Sequence, residues 1–198
     1  MEFSDVVRRR RMVRNYDPDR PIPPDIVERL LSNAIHAPSA GFSQGWGFLV
    51  LQTPTELEEF WAVSTPKSWN SWLTNMRHAP LIIIPLSNKS AYLDRYAEPD
   101  KGWTDRDEAR WPVPYWHIDT GMASLLMLLT AVDEGLGACF FGIPPENIPA
   151  FKDHFGVPPE FVPIGAISVG YRRADHKSKS LKRGRRTLDE VVHYGRWR

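Results

Sequence analysis

The chain has 198 residues, of which 42% are hydrophobic and 25% are charged. These proportions are those of a globular domain and exclude a chain that is disordered throughout. The 25 Lys/Arg and 24 Asp/Glu residues leave a net charge of +1, which gives no reason to expect a nucleic-acid or membrane partner. Cys139 is the only cysteine, so an intramolecular disulfide and a cysteine-based metal cluster are excluded, and no metal site is predicted.

The sequence also bears on the compartment in which the protein acts. The N-terminal residues lack the apolar core of a secretory signal peptide. The longest uncharged apolar stretch, residues 122–132, is too short to cross a bilayer and lies between Asp119 and Asp133. A single cysteine suits a reducing environment. Together these features predict a cytoplasmic protein.

The N-terminal part of the sequence predicts two helices. Ser4 and Asp5 are suited to cap the first helix, which would continue to the residue before Asn15. Apolar side chains then repeat at spacings of three and four over residues 26–35, which predicts an amphipathic second helix. This helix would end at residues 37–38 and be followed by a loop.

Two strands and a third helix are predicted next. Residues 48–51 form a short apolar run typical of a strand, and Thr55 with Glu58 has the spacing of a capping box at a helix start. Residues 79–86 are the strongest strand candidate, because their apolar side chains would cover both faces of a sheet. Such a strand lies in the interior of its sheet.

The second half of the sequence begins with a segment of unusual composition. Residues 87–116, called the insert from here on, combine six Tyr and Trp residues with many charges and three prolines. Long irregular segments in small domains are often functional, so the insert is a candidate lid, with Trp103 or Trp111 expected to cover a substrate pocket. Alternatively, these aromatic residues lie at the surface and pack within an ordinary loop or against a second subunit.

The remaining elements favour one α+β domain. A buried helix is predicted over residues 119–134, strands over residues 138–141 and 162–170, and short helices over residues 147–154 and 187–192. Strands and helices alternate without a regular strand–helix–strand repeat, which favours an α+β fold over a doubly wound one. No repeat or interdomain linker is evident, so residues 1–198 are predicted to form a single domain.

Basic residues form the first candidate site. Arg10, Arg11 and Arg14 bring three guanidiniums to the end of the first helix, where they could clamp a phosphate by bidentate hydrogen bonds. A solvated basic helix face is the alternative. Near the C-terminus, Arg183 and Arg185 could add cations to the same phosphate or belong to a basic tail that aids solubility.

Two segments rich in small residues form further candidates. Residues 37–46 would let main-chain groups approach a flat ligand, and the Gln44 amide could bond to the edge of its ring. The same segment could also be an ordinary connection between a helix and a strand. Residues 135–144 place glycines at a strand end but lack the GxGxxG spacing, so a Rossmann dinucleotide site is not predicted.

The order of these segments resembles the nitroreductase family of flavoproteins. The pattern is R-R-x-V-R-x-Y at residues 10–16, A-P-S-x-x-x-S-Q-x-W at 37–46, G-L-G at 135–137 and R-x-x-L-D-E-V-V at 185–192. Family members are interlocked homodimers with a central, mainly antiparallel sheet flanked by helices, and they bind FMN at the dimer interface. The resemblance therefore implies this fold, FMN as the cofactor and a second copy of the chain as the partner.

The resemblance also implies which residues contact FMN. Arg10, Arg11 and Arg14 would contact the phosphate and ribityl chain or the edge of the flavin ring, and the late arginines would clamp the phosphate. Residues 142–143 would bring a main-chain N–H towards the flavin N5. The turn at residues 38–40 would lie against the isoalloxazine ring from the partner subunit, with Gln44 near the pyrimidine side. The matching positions are Arg10, Arg11, Met12, Arg14, Pro38, Ser39, Ala40, Gln44, Phe141, Gly142, Ile143, Arg183 and Arg185, with Arg186 as the alternative if the register slips by one.

The chain departs from the family pattern at four of these sites or beside them. Met12 stands where serine or threonine is common, and Phe42 replaces a frequent asparagine. Gly45 replaces a frequent proline, and Gly142 occupies a position that is glutamate in some members. These departures bear on the flavin contacts and on the choice of substrate.

The implied reaction needs no catalytic side chain, because the flavin carries it. NAD(P)H would give a hydride to N5 and depart, and a small acceptor such as a nitroaromatic or a quinone would then use the same face. His117 and Asp119 are two residues apart on a helix and are predicted to be structural rather than an acid–base pair. His36, beside the predicted turn, is expected to be structural as well.

Two other functions remain open at this point. Relatives with the same fold use a deazaflavin donor, remove halogens or fragment the flavin, and the sequence does not distinguish these reactions from NAD(P)H-linked reduction. A polyanion-binding module that uses both basic ends belongs to a different class. The sequence contains no recognisable nucleic-acid-binding motif, which counts against this function.

Overall fold

The computed structural model of the protein describes residues 1–65, 71–175 and 178–197. Five strands in these residues form one antiparallel sheet in the order β1-β2-β5-β3, with β4 paired to the end of β2. The strands are β1 (Trp46–Leu51), β2 (Leu81–Asn88), β3 (Gly137–Phe141), β4 (Phe161–Pro163) and β5 (Ala166–Gly170). The predicted α+β class is confirmed.

The helices of the described residues lie before, between and after these strands. They are α1 (Phe3–Arg9), α2 (Pro24–Ala34), α3 (Pro54–Ser64), α4 (Ser71–Met76), α5 (Lys89–Ala97), α6 (Tyr115–Asp133) and α7 (Ile148–His154). Short 3-10 turns lie at Ala40–Phe42, Glu108–Arg110, Pro145–Asn147, Lys179–Arg183 and Leu188–Glu190. Among the described helices, none is long and apolar enough to cross a membrane.

Strand β2 separates two hydrophobic cores. Leu81 and Ile83 join the core that contains residues of α2 and α6, whereas Ile82 and Ile84 join the core that contains Phe60 and other residues of α3 and α7. Successive side chains of a strand point to opposite faces, so a continuous apolar run fills both cores. The prediction of an interior strand is therefore confirmed.

The first helix is shorter than predicted. α1 ends at Arg9, and Ser4 and Asp5 lie inside it rather than at its N-cap. Beyond it the chain is extended, and Met12 forms a parallel bridge with Ala138 of β3. Pairing with the sheet satisfies main-chain groups that a longer helix would have bonded internally, so the helix ends early.

The start of α3 also differs from the prediction. Thr53 and Glu56 form the capping box, two residues before the predicted pair of Thr55 and Glu58. Both pairs have the same spacing. Pro54 decides between them, because proline is favoured at the first helical position and its missing N–H costs nothing there.

Three elements in the second half also differ. The insert was expected to be irregular, but α5 lies within it, and the Asn88 side chain accepts a hydrogen bond from the Ala91 N–H at its start. α6 begins before the predicted position, at Tyr115. The strand predicted over residues 162–170 is split at Gly165, where a Cβ atom would lie 2.7 Å from the Phe140 ring. Only a residue without a Cβ fits at this break between β4 and β5.

Candidate functional site

The N-terminal basic segment lies on the edge of the sheet. The Val13 N–H donates to the Ala138 carbonyl of β3 at 2.9 Å, and the Arg14 N–H donates to Asp175 Oδ2 at 2.8 Å. The Gly137 backbone approaches Val13 so closely that a Cβ there would lie 2.8 Å from its side chain. The segment is therefore held between β3 and the chain that follows β5.

Tyr16 anchors the end of this segment in the core. Its hydroxyl donates to the Val13 carbonyl at 2.6 Å and lies 2.8 Å from the Ser168 hydroxyl. Tyr16 is fully buried, and this burial raises the pKa of its hydroxyl well above the ordinary value. The anchor fixes the main chain of the arginine segment, in which Arg11 is exposed and Arg10 and Arg14 are half-buried.

Several arginine side chains of the predicted site lack an acidic partner. Within residues 1–65, 71–175 and 178–197, no salt bridge involves Arg10, Arg11, Arg14, Arg183 or Arg185. By contrast, Arg8 pairs with Asp5 at 2.6 Å. Guanidiniums without a carboxylate partner are available for an anionic ligand.

Residues 141–143 lie at the end of β3, the strand that pairs with the arginine segment at Ala138. The Phe141 ring stacks on Trp61 in the core, with ring centroids 5.6 Å apart and planes 9° apart. Ile143 is buried, whereas Gly142 is exposed and a Cβ there would meet nothing within 4 Å. The open main chain at Gly142 is the part of this segment that a flat ligand can approach.

The turn after α2 has an unusual main chain. Gly41, Phe42 and Gln44 have φ values of 61°, 56° and 49°. The left-handed region is natural for glycine but costs about 1–3 kcal/mol at other residues. Phe42 is also 75% exposed, so its own packing in the monomer does not offset this cost.

A buried carboxylate holds this turn. Asp119 on α6 is 1% exposed, and its Oδ2 accepts hydrogen bonds from the Ala40 N–H and the Tyr92 hydroxyl, each at 2.8 Å. Burial and the bond to the carboxylate raise the pKa of Tyr92 well above its ordinary value, so the hydroxyl remains a donor at neutral pH.

Further contacts complete the support of the turn. The Gln44 N–H donates to Ser39 Oγ at 3.0 Å, and Arg95 Nε donates to the Gly41 carbonyl at 2.9 Å. The ring of Tyr96 lies so close to Gly41 that a Cβ there would be 2.6 Å from it. The turn is therefore supported mainly by side chains of α5 and α6.

The insert forms an aromatic cluster behind this turn. Trp111 is at its centre, with ring centroids 4.5 Å from Tyr96, 5.5 Å from Trp103 and 6.1 Å from Trp116. Its indole Nε1 is buried and has no hydrogen-bond partner among the described residues. Trp103 and Trp111 thus pack against Tyr96, whose ring contacts the turn at Gly41. Their role as a lid stays a prediction.

The C-terminal segment lies on the outside of the chain. Leu188 is 76% exposed and Trp197 is 86% exposed. Arg183 and Arg185 on the same segment are exposed as well. Arg186, the alternative phosphate ligand, donates to the Glu190 carbonyl. The basic tail also includes Lys177 and Arg198, which lie outside the described residues.

The structure brings two of the four predicted segments together. Residues 10–14 and residues 138–143 share one edge of the sheet. Among the described residues, no hydrogen bond or ion pair joins the turn at residues 38–44 to the arginine segment, and none joins Arg183 or Arg185 to it.

Comparison with known proteins identifies the family to which the chain belongs. A sequence model of the nitroreductase family matches residues 7–171. The chain belongs to the nitroreductase family. A Methanothermobacter thermautotrophicus protein, provisionally named an NADH dehydrogenase/NAD(P)H nitroreductase, is 25% identical over 184 residues that cover 91% of this chain and 83% of the relative. A Bacillus subtilis protein, provisionally named an NAD(P)H nitroreductase, is 27% identical over 188 residues that cover 85% and 88%.

Solved structures show that the chain has the nitroreductase fold. A provisionally assigned nitroreductase from Exiguobacterium sibiricum, solved in complex with FMN, superimposes with a TM-score of 0.75 over 98% of this chain and 97% of that one, at 20% identity. A second FMN complex, from Desulfovibrio desulfuricans, gives a TM-score of 0.73 at 22% identity over 100% and 99%.

Some residues of this nitroreductase-family chain were not singled out by the sequence. Tyr92 and Arg95 support the turn. The sequence marked Tyr92 only as one of the aromatic residues of the insert, and it gave no signal for Arg95. Asp119 and His117 were expected to be structural, and they contact different partners: the His117 Nδ1 lies 2.8 Å from the Ser87 hydroxyl. Burial lowers the pKa of His117. Ser87 is 1% exposed, which argues against a nucleophilic role for this pair.

Proposed function

We propose that this protein is an FMN-dependent oxidoreductase that transfers a hydride from NAD(P)H through the flavin N5 to a small acceptor such as a nitroaromatic or a quinone. FMN in the solved relatives supports the cofactor, and the names of the archaeal and Bacillus relatives support NAD(P)H as the donor. In this chain, the observation that carries the proposal is the arginine segment. Its guanidiniums have no acidic partner among the described residues, and its main chain pairs with β3, the strand that leads to the open main chain of Gly142.

The residues present fit FMN. Its phosphate is an anion, and Arg10, Arg11 and Arg14 offer planar donors that suit bidentate binding of phosphate oxygens. Its isoalloxazine ring is flat, and the exposed Gly142 leaves room for a ring to lie against the main chain. When bound, FMN supplies the hydride chemistry at N5. The arginines would bind and orient it, and their charge would favour the reduced, anionic form.

A homodimer is part of the proposal. The chain exposes 12245 Å², whereas a compact monomer of 22.7 kDa exposes about 9500 Å². Part of the excess is apolar: Phe3 on α1 and Ile118 and Leu125 on α6 are exposed. Phe3 also lines a groove of about 590 Å³ between α1 and α6. Large exposed apolar patches mark protein interfaces. A second copy would cover this surface and bring its own turn at residues 38–44 to the arginines.

The cytoplasm is the proposed compartment, because a chain with one buried cysteine suits a reducing environment.

The proposed function is tested by the visible spectrum of the purified protein, reconstituted with FMN and kept free of oxygen. Addition of NADPH or NADH is expected to bleach the flavin band, and a nitroaromatic or a quinone is expected to restore it. A flavin that binds but stays oxidised with both nucleotides would overturn NAD(P)H as the donor and favour a deazaflavin.

A further inference from the structure

The turn at residues 39–44 needs support from outside itself. Phe42 and Gln44 are non-glycine residues in the left-handed region, and they are only two positions apart. A main chain with this strain persists only where its surroundings over-determine it. The bond from the Gln44 N–H to Ser39 Oγ lies within the turn, so it cannot fix the turn relative to the rest of the protein.

Asp119 provides that support from the core. Both hydrogen bonds to its Oδ2 come from groups that lie far from it in sequence, the Ala40 N–H on the turn and the Tyr92 hydroxyl on α5. A buried carboxylate is stable only when donors satisfy it, so the three groups hold one another in place. α6 is packed on α2 and on the sheet, which gives the carboxylate a rigid base.

Glycine makes the close approach of α5 possible. A Cβ at Gly45 would lie 2.5 Å from the Tyr92 ring, so only glycine lets the ring lie this near to the turn. The sequence thus combines a glycine at residue 45 with a tyrosine at residue 92. The hydroxyl of that tyrosine then reaches the carboxylate that holds the other end of the turn.

We propose that Asp119 and Tyr92 are positioning residues that hold the turn at residues 39–44 in the shape required to lie against the flavin ring. This inference rests on the proposed function, because it assigns that turn to the FMN site. Neither residue touches the reacting atoms. They act through the main chain of Ala40, and the insert serves as the support of the turn through α5.

The test uses Tyr92→Phe, Asp119→Asn and Asp119→Ala in the full-length protein. Tyr92→Phe keeps the ring against Gly45 and removes only the hydroxyl. Asp119→Asn keeps an acceptor for the Ala40 N–H and is expected to be milder than Asp119→Ala. Tyr115→Phe is the matched control, because it removes a hydroxyl from the same aromatic cluster without changing the hydrogen bonds of Asp119.

The first readout is hydrogen exchange in the FMN-free protein. Exchange of the amides of residues 40–44 is expected to become about tenfold faster in Tyr92→Phe and faster still in Asp119→Ala. Amides of β2 should keep their rates, and the Tyr115→Phe control should match the wild type. Unchanged exchange at the turn in all variants overturns the inference, whether or not FMN binds.

The second readout is FMN affinity, measured by flavin fluorescence. The dissociation constant is expected to rise about tenfold in Tyr92→Phe, with partial recovery in Asp119→Asn relative to Asp119→Ala. Equal affinity in the wild type and all variants overturns the positioning role. A wild-type protein that binds no FMN overturns the proposed function instead, and the exchange result then still decides whether Asp119 and Tyr92 hold the turn.

Discussion

Arg14 and Asp175 lie 161 positions apart in the chain, yet the main-chain N–H of Arg14 donates to Asp175 Oδ2 at 2.8 Å. This bond ties the arginine segment to the chain that leaves the last strand of the sheet. It uses the backbone of Arg14 and leaves the guanidinium without an acidic partner among the described residues. Asp175 therefore holds the main chain at the proposed phosphate contact and leaves the Arg14 side chain available.

Replacing Asp175 is expected to loosen this attachment. Asp175→Ala should lower the free energy of unfolding by about 1–2 kcal/mol, because the partly buried Arg14 N–H loses a charged acceptor. Urea denaturation followed by circular dichroism measures the change. Asp175→Asn keeps an acceptor oxygen and should lose less than half as much. Equal losses in both variants would show that the hydrogen bond is not the cause.

The Arg14 guanidinium, which donates to the Met12 carbonyl but has no acidic partner among the described residues, is expected to contribute to FMN binding. Arg14→Ala should raise the FMN dissociation constant about tenfold or more, because a charge-assisted hydrogen bond to phosphate is lost. Arg14→Lys should recover part of the affinity, since lysine keeps the charge without the bidentate geometry. Fluorescence titration gives both values.

Arg8→Ala is the control for that experiment. Arg8 already pairs with Asp5 at the surface, so its loss should leave the FMN affinity within about twofold of the wild type. A loss of affinity as large as that of Arg14→Ala would mean that general positive charge, rather than the Arg14 position, attracts the phosphate.

Stability is expected to fall at alkaline pH. Burial raises the pKa of Tyr16, so the neutral hydroxyl stabilises the folded state fully below the ordinary tyrosine pKa of about 10. This contribution is lost as the pH rises beyond that value. Burial also raises the pKa of Cys139 to about 11, so its contribution is complete below about pH 9 and is lost on the same side.

Unfolding free energies measured between pH 8 and pH 11 test this dependence. Tyr16→Phe should be less stable at neutral pH, because it loses the bonds to Val13 and Ser168, and it should decline more gently above pH 10. A decline as steep as that of the wild type would assign the alkaline transition to other groups.

The exposed C-terminal segment is expected to be buried in a dimer. Leu188 makes little contact within its own chain, so Leu188→Asp should not change the stability of a monomer. In the proposed dimer the aspartate would be buried against the partner, and the monomer–dimer dissociation constant should rise about tenfold or more. Sedimentation equilibrium measures it, with circular dichroism as the control for folding. An unchanged constant would place Leu188 outside the interface.

Local signals predicted the elements whose structure depends on local chemistry. The apolar run at residues 79–86 predicted β2, because only a strand covered on both faces buries so many consecutive apolar side chains. The capping box of α3 was found with a shift of two residues, because Thr53 and Thr55 are followed by glutamate at the same spacing. Pro54 distinguishes the two pairs, because proline is favoured at the first position of a helix.

Contacts between distant residues determined the elements that the sequence did not predict. α1 ends early because Met12 pairs with Ala138, and no local pattern reports that pairing. The family pattern located the arginine segment and the turn as candidate site residues. It did not indicate how the turn is held, because Ala40 and Asp119 are separated by 79 positions and meet only in the folded chain.

The most direct test of the cofactor site is a titration of the FMN-free protein with FMN, monitored by quenching of flavin fluorescence. Saturable binding is expected at one FMN per chain, with a dissociation constant of about 1 μM or lower, typical of sites that combine charge-assisted hydrogen bonds with stacking. A folded wild-type protein that shows no saturation at tens of micromolar FMN (about 10 to 50 μM) would contradict the proposed cofactor site.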